Sequence, residues 1–108
     1  MIIKNSFKLS IIIPCYNENN SIEAIISKIL NSLQNYQFTN YQLIIVDDYS
    51  TDGTREKLKK FESYENIQIV FHDHNQGKGS AIQTAIKSVS GDITIIQDAD
   101  LEYDPYDY

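Results

Sequence analysis

Carboxylates near the carboxyl end of this chain have a spacing that suits a metal ion. Asp98 and Asp100 flank Ala99 directly after an apolar run, and Glu102 follows two residues later. Alternate carboxylates can direct two oxygens toward one point, and oxygen ligands are those that Mg²⁺ and Mn²⁺ prefer. Such an ion can bridge a diphosphate and offset charge as a leaving group departs. A bare D-x-D triplet also occurs in solvated turns, so the triplet alone leaves both interpretations open.

A second acidic pair, Asp47 and Asp48, follows another apolar run. One carboxylate could accept a hydrogen bond from a base or a ribose, and the other could stabilise the start of the next helix through its dipole. We expect Asp48 to serve the ligand more than the fold. Tyr16 could stack on a base, with ordinary half-buried packing as the alternative. Asn17 and Glu18 could meet ribose or base edges.

Three further features favour structure over chemistry. The segment Gly77-Lys78-Gly79 lacks the spacing of a Walker A loop, so its glycines predict a tight turn, although Lys78 could still contact a phosphate. His72 and His74 are expected to be solvated loop residues. Cys15 is expected to be a small core residue, because nothing in the sequence pairs it with a base.

The elements that must position these groups alternate between strands and helices. Short β-branched runs predict the strands, and apolar residues spaced three and four apart predict helices between them. We expect Asn20 to cap the first helix, Ser50 or Thr51 to cap the second, and Gly91 to end the third. The predicted strands are 8–14, 41–48, 66–72 and 92–98. This order predicts a parallel sheet with helices on both faces, whose ligands bind beyond the carboxyl ends of the strands.

Length and charge bound the possible classes of protein. The chain has 108 residues, which suits one domain, and no run approaches the roughly 20 apolar residues of a membrane span. Its net charge is −6, of which residues 98–108 carry −5, and no basic stripe predicts a nucleic-acid partner. The single cysteine excludes an internal disulfide framework, and the start lacks the apolar core of a secretory signal, so a cytosolic setting fits.

Taken together, the motifs resemble glycosyltransferase family 2 enzymes with the GT-A fold. The matching segments are SIIIPCYNE (10–18), LIIVDDYSTDGT (43–54), NQGKGSAI (75–82) and GDITIIQDADLEYDP (91–105). The ending DADLEYDP is similar to the dolichol-phosphate mannose synthase and polyprenyl-phosphate glycosyltransferase group. The resemblance implies an α/β fold, a three-layer α-β-α Rossmann-like nucleotide-binding half with a mainly parallel sheet.

The resemblance also implies a donor, a cofactor and an acceptor. The donor would be a UDP- or GDP-linked sugar bound with Mg²⁺ or Mn²⁺, and the acceptor a polyprenyl phosphate at the cytoplasmic face of a membrane. The residues implied for the nucleotide-sugar are Pro14, Tyr16, Glu18, Val46, Asp48, Asp98 and Ala99, and those for the metal are Asp100 and Glu102.

The chain departs from the family in length and at one residue. Family catalytic domains are considerably longer, so residues 1–108 are expected to be an incomplete N-terminal nucleotide-sugar-binding domain that ends after the D-x-D. The acceptor half and its catalytic base would be missing, and an uncovered sheet edge would promote self-association. Tyr49 stands where the family commonly has a small residue.

Two alternatives from other classes stay open. A receiver domain of a signalling protein is also a small α/β domain with an acidic pair at a strand end. There the pair follows the first strand, whereas here it follows the second. The other alternative is a non-catalytic domain that binds a partner at its sheet edge.

Overall fold

A computed structural model describes residues 7–99. Their elements are β1 (Leu9–Cys15), α1 (Ile22–Asn35), β2 (Tyr41–Asp47), α2 (Thr54–Lys59), β3 (Ile67–Phe71), α3 (Lys78–Ile86) and β4 (Ile93–Ile96). The predicted alternation of strands and helices is confirmed. Each strand end lies within two residues of its predicted position.

The four strands form one parallel sheet in the order β3-β2-β1-β4. Leu9 at the start of β1 lies between Tyr41 of β2 and Ile93 of β4, so the strands point the same way from a common edge. This is the order of the first four strands of a Rossmann sheet. A receiver domain has the order 2-1-3-4-5, so the sheet contradicts that alternative.

Alternate residues of the two central strands face opposite layers. Ile11 and Ile13 of β1 pack with α1 and α2 in one core cluster, whereas Ile12 packs against α3 in a second. Ala81 and Ala85 present small side chains from α3 to this second face, and both are fully buried. The predicted three-layer arrangement is therefore confirmed.

The predicted helix boundaries were wrong at three positions. Asn20 does not cap α1, which begins after Ser21; the backbone carbonyl of Glu18 accepts the first amides instead. Neither Ser50 nor Thr51 caps α2, which begins after Gly53. At α2 the Thr54 amide donates instead to the Asp52 side chain, with Oδ1 at 3.1 Å.

Gly91 does not end the third helix, because α3 stops at Ile86. Instead it lies against β1, where a Cβ would overlap Ser10 Oγ and come within 2.8 Å of the Ser10 nitrogen and 2.9 Å of the Lys8 oxygen. The Gly91 amide donates to Ser10 Oγ over 2.9 Å. This glycine thus lets the chain approach β1 closely just before β4 begins.

Candidate functional site

A pocket of about 180 Å³ opens at the carboxyl ends of the strands. It lies where the segments after β1, β2 and β4 meet the start of α3. Its lining residues are Pro14, Cys15, Tyr16, Glu18, Asp48, Lys78, Ala81, Asp98 and Ala99. Six of the seven residues that the resemblance implied for a nucleotide-sugar are among them, namely Pro14, Tyr16, Glu18, Asp48, Asp98 and Ala99. The structure therefore gathers at one place residues that lie up to 85 positions apart in the chain.

Val46 is the seventh residue, and it does not line this pocket. Its side chain is fully buried between the sheet and α3, together with Ile12, Ile44, Ala81 and Ala85. Its contact with a nucleotide stays a prediction, and the side chain is placed to support the sheet.

Asp48 accepts three hydrogen bonds at the pocket. Its Oδ1 accepts hydrogen bonds from the Gln76 amide over 2.8 Å and from His72 Nδ1 over 2.9 Å, and its Oδ2 accepts one from the Gly77 amide over 2.7 Å. Burial opposes the charged carboxylate, but the hydrogen bonds from His72 and the two amides outweigh it and hold the pKa of Asp48 below its usual value. Asp48 therefore lines the pocket and also connects the end of β2 to the segments after β3 and before α3.

Asp47 has a structural position. Its side chain is fully buried, its Oδ2 accepts the Ser50 amide over 2.9 Å, and its Oδ1 accepts the Ser50 hydroxyl over 2.5 Å. Arg55 approaches Oδ2 with its Nε at 3.5 Å. These contacts fix the loop after β2. Neither aspartate accepts an amide from the first turn of α2, where the Thr54 amide donates to Asp52 Oδ1 over 3.1 Å, and a ligand contact of Asp48 stays a prediction.

Hydrogen bonds also join the loop after β1 to the loop after β2. The Asn17 amide donates to Ser50 Oγ over 2.8 Å, and Asn17 Oδ1 accepts the Thr51 amide over 2.8 Å. Tyr49 adopts a φ of 68° in this loop, a left-handed conformation that favours glycine. Its ring lies 5.5 Å from the Arg55 guanidinium, a cation–π contact.

A lysine supplies positive charge at the pocket. Lys78 is the first residue of α3, and its Nζ lies 2.5 Å from Asp98 Oδ1. Both side chains are partly exposed, so solvent screens the pair and its contribution to stability is small. The pair matters for the pocket because it places the Lys78 ammonium group beside Asp98, just after β4.

His72 is not solvated, and the expectation for it was wrong. It is buried, with Nδ1 at 2.9 Å from Asp48 Oδ1 and Nε2 at 2.8 Å from Thr84 Oγ1. Sequence reasoning also missed Thr84, because no local pattern connects a hydroxyl on α3 with the residue after β3.

The expectations for the other two reactive side chains hold. His74 is exposed and pairs only with its exposed neighbour Asp73 among the contacts described for residues 7–99. Cys15 is buried, and burial together with the nearby Asp47 carboxylate raises the pKa of its thiol strongly. Cys15 is therefore an inert core residue.

The implied metal ligands Asp100 and Glu102 lie outside the described residues. Within residues 7–99, no group of three His, Cys, Asp or Glu side chains could hold a metal ion. Glu18 and Asp98 do bring carboxylate oxygens to the pocket, which is the donor type that Mg²⁺ and Mn²⁺ prefer. The carboxylates of Glu18 and Asp98 are the right type of ligand for such an ion, but two carboxylates are too few to hold it without further ligands.

The sheet order and the pocket at its carboxyl edge are those of a Rossmann-like α/β domain, and sequence comparison identifies the family. The profile of glycosyl transferase family 2 matches residues 10–108, so the chain belongs to that family. The implied GT-A fold is thereby confirmed, and neither alternative class is favoured.

One relative within this family is similar over most of the chain. The dolichol-phosphate mannosyltransferase of Pyrococcus furiosus is 38% identical over 98 residues, which cover 91% of this chain and 27% of that protein. The chain therefore spans little more than a quarter of the length of this relative.

Two solved structures have a similar fold. The S. aureus TarS structure in complex with UDP matches with a TM-score of 0.71 and 30% identity, over 86% of this chain and 27% of that one. The mannosyltransferase PcManGT of Pyrobaculum calidifontis, in complex with GDP-Man and Mn²⁺, matches with a TM-score of 0.67 and 28% identity, over 85% and 27%. Among the helices within residues 7–99, none has the length and apolar character needed to cross a bilayer.

Proposed function

We propose that residues 1–108 form the nucleotide-sugar-binding part of a glycosyltransferase whose donor is a UDP- or GDP-linked sugar. The observation that carries this proposal is the convergence of Tyr16, Glu18, Asp48 and Asp98 on one pocket at the carboxyl edge of a Rossmann-order sheet. Similar structures contain UDP or GDP-Man, which supports this class of ligand.

The pocket offers a distinct contact for each part of such a donor. Tyr16 is 45% exposed, so its ring is available to stack on a base. Carboxylates accept hydrogen bonds from ribose and base donors, and Lys78 supplies a cation for phosphate. A volume of about 180 Å³ is below the roughly 300 Å³ of the smallest usual ligand clefts, so this pocket holds only part of the donor.

Asp100 and Glu102 are the proposed ligands of Mg²⁺ or Mn²⁺. Support comes from the D-x-D sequence and from the Mn²⁺ in the similar mannosyltransferase structure. The ion, when bound, neutralises charge on the diphosphate. The chain's own contribution is to hold Asp98 beside Lys78, so that an acidic and a basic group both border the pocket.

The proposed acceptor is a polyprenyl phosphate at the cytoplasmic face of a membrane. Support comes from the name of the Pyrococcus furiosus relative, a dolichol-phosphate mannosyltransferase. A phosphate acceptor is already an anion, whereas a sugar hydroxyl needs a general base to become a nucleophile. Transfer to such an acceptor therefore places little demand for a base on residues 7–99.

Calorimetric titration with UDP, GDP and CDP tests the donor proposal. We expect one of the three to bind in Mn²⁺ with an affinity that falls in a chelator, and Asp100→Ala to remove that difference. Asp73→Asn is the matched control, because Asp73 is exposed and does not line the pocket. Equal binding of the unmodified chain in Mn²⁺ and in chelator would contradict the metal proposal.

We also propose self-association through β4. It is the outer strand next to β1 in the described sheet, and Ile93, Ile95 and Ile96 are each about half exposed. An outer strand presents unpaired backbone groups that can pair with a second copy. Sedimentation should show dimers that become more abundant as salt screens the negative charge. A monomer at every salt concentration would overturn this.

A further inference from the structure

A buried histidine connects the pocket to the helix behind it. His72 lies just after β3, with Asp48 on one side of its ring and Thr84 of α3 on the other. His72 is not among the pocket-lining residues, whereas Asp48 is. The nucleotide-site prediction made from the sequence did not include it.

The direction of one hydrogen bond follows from chemistry. An ionised carboxylate only accepts hydrogen bonds, so the Nδ1 of His72 must carry the proton that it shares with Asp48 Oδ1. Thr84 Oγ1 also lies 3.0 Å from the Ser80 carbonyl, which holds this hydroxyl in place on α3. The single Thr84 hydroxyl proton serves either the Ser80 carbonyl or Nε2, so only the Asp48 contact of the ring has a fixed direction, although both ring nitrogens lie within hydrogen-bond distance of a partner.

The contact with His72 determines which acceptor positions of the Asp48 carboxylate are left for a ligand. A carboxylate has about four acceptor positions. His72 and Gln76 use two on Oδ1, and Gly77 uses one on Oδ2. Oδ2 thus retains capacity for a donor from a ligand, provided that the carboxylate does not rotate.

We propose that His72 is a positioning residue for the nucleotide site, which fixes the Asp48 carboxylate so that Oδ2 faces the ligand. Through Asp48 it also holds the Gln76 and Gly77 amides, and with them the start of α3 and Lys78. This inference rests on the proposed function. Asp48 would accept a hydrogen bond from the ligand, either from a sugar hydroxyl or from an O–H or N–H group of the base. His72 would keep the carboxylate in the orientation that this hydrogen bond needs.

Two substitutions separate the two sides of the ring. His72→Asn keeps an N–H donor near the position of Nδ1 and retains the contact with Asp48. His72→Gln places an amide group, which can donate or accept, near the position of Nε2 and retains the contact with Thr84. Both substitutions remove the imidazole ring and so lose similar packing. The melting temperatures of the two variants are compared to check that their losses of stability are similar.

The first readout needs no ligand. Hydrogen exchange at the Gln76 and Gly77 amides should be about tenfold faster in His72→Gln than in His72→Asn, because one hydrogen bond of typical strength controls the carboxylate. The second readout is the Kd for UDP or GDP, which should rise about tenfold in His72→Gln and less than threefold in His72→Asn. Equal exchange rates and equal Kd values in the two variants would overturn the inference.

The unmodified chain gives a check that does not depend on folding of the variants. Long-range proton–nitrogen NMR of the imidazole should find Nδ1 of His72 protonated, and adding the bound nucleotide should shift its resonance. An unprotonated Nδ1 would overturn the inference. If the unmodified chain binds neither UDP nor GDP, the proposed function fails, while exchange at Gln76 and Gly77 still decides whether His72 holds Asp48.

Discussion

The Gly77 amide donates a 2.7 Å hydrogen bond to Oδ2 of Asp48, although the two residues are 29 positions apart. Gly77 reaches this position with a φ of 95°, which favours glycine. The bond fixes the carboxylate after β2 against the first turn of α3, where a negative charge also interacts favourably with the helix dipole. This contact thus joins the segment after β2 to the start of α3, whose first residue is Lys78.

Replacing Asp48 should destabilise the fold, contrary to the expectation from sequence. Asp48→Asn turns one acceptor oxygen into a donor, which then faces a backbone N–H or the protonated Nδ1 of His72. We expect a loss of about 1–3 kcal/mol in the free energy of unfolding, measured with urea. Asp73→Asn, at an exposed site, should change it by less than about 0.5 kcal/mol. Equal stability of the two variants would show that the Asp48 contacts contribute little.

Acid should remove the same contribution. The folded pKa of Asp48 lies below its usual value of 3.8, so its stabilisation is complete above that pH and is lost as the pH falls through the folded value. The stability difference between the unmodified chain and Asp48→Asn should therefore shrink on acidification. Urea unfolding across the acid range measures it. A difference that stays constant would contradict the assigned pKa direction.

Two glycines should respond to alanine with opposite signs. At Gly91 a Cβ would overlap Ser10 Oγ, so Gly91→Ala should destabilise by about 1–3 kcal/mol and loosen β4 from β1. At Gly79 a Cβ meets nothing within 4 Å and the backbone is helical, so Gly79→Ala should stabilise by up to about 1 kcal/mol. Thermal unfolding of both variants checks this, and a tolerated Gly91→Ala would show that the contact with β1 adjusts easily.

Lys78 should affect the binding of phosphate more than folding. Lys78→Gln removes the cation beside Asp98 and should weaken nucleoside diphosphate binding about tenfold, with a much smaller effect on the uncharged nucleoside. Stability should change little, because the pair is partly exposed. Titration with the diphosphate and the nucleoside compares the two. Equal weakening of both ligands would exclude a contact specific to phosphate.

The sequence predicted most of the fold because its signals are local and repeated. Apolar β-branched runs such as 11–13 and 44–46 are too short for helices, and the three-and-four spacing from Ile22 to Leu33 indicates one apolar helical face. These patterns led to seven elements in the right order. The caps at Asn20, Ser50 and Gly91 were wrong, because a cap depends on one or two atoms that tertiary contacts redirect.

Much of the candidate site could be predicted because strand ends of a parallel sheet share an edge. That rule and the family resemblance together selected Tyr16, Asp48 and Asp98, which do line one pocket. The role of His72 could not be predicted, because its burial depends on packing against Thr84 from a separate element. Asp48 was underestimated for the same reason, since its partners follow it by 24 to 29 residues.

The most direct test of the central claim is to map a bound nucleotide on the chain by NMR. The isotope-labelled protein would be titrated with UDP and with GDP in Mg²⁺, which is diamagnetic. We predict that one nucleotide shifts the amide signals of Tyr16, Asp48, Gly77 and Ala99 along a common saturation curve. The signals of Asn66 and Gln68, at the amino end of β3 and so at the opposite edge of the sheet, should stay unchanged. No shift with either nucleotide, or shifts away from the carboxyl ends of the strands, would contradict a nucleotide-sugar site in this pocket.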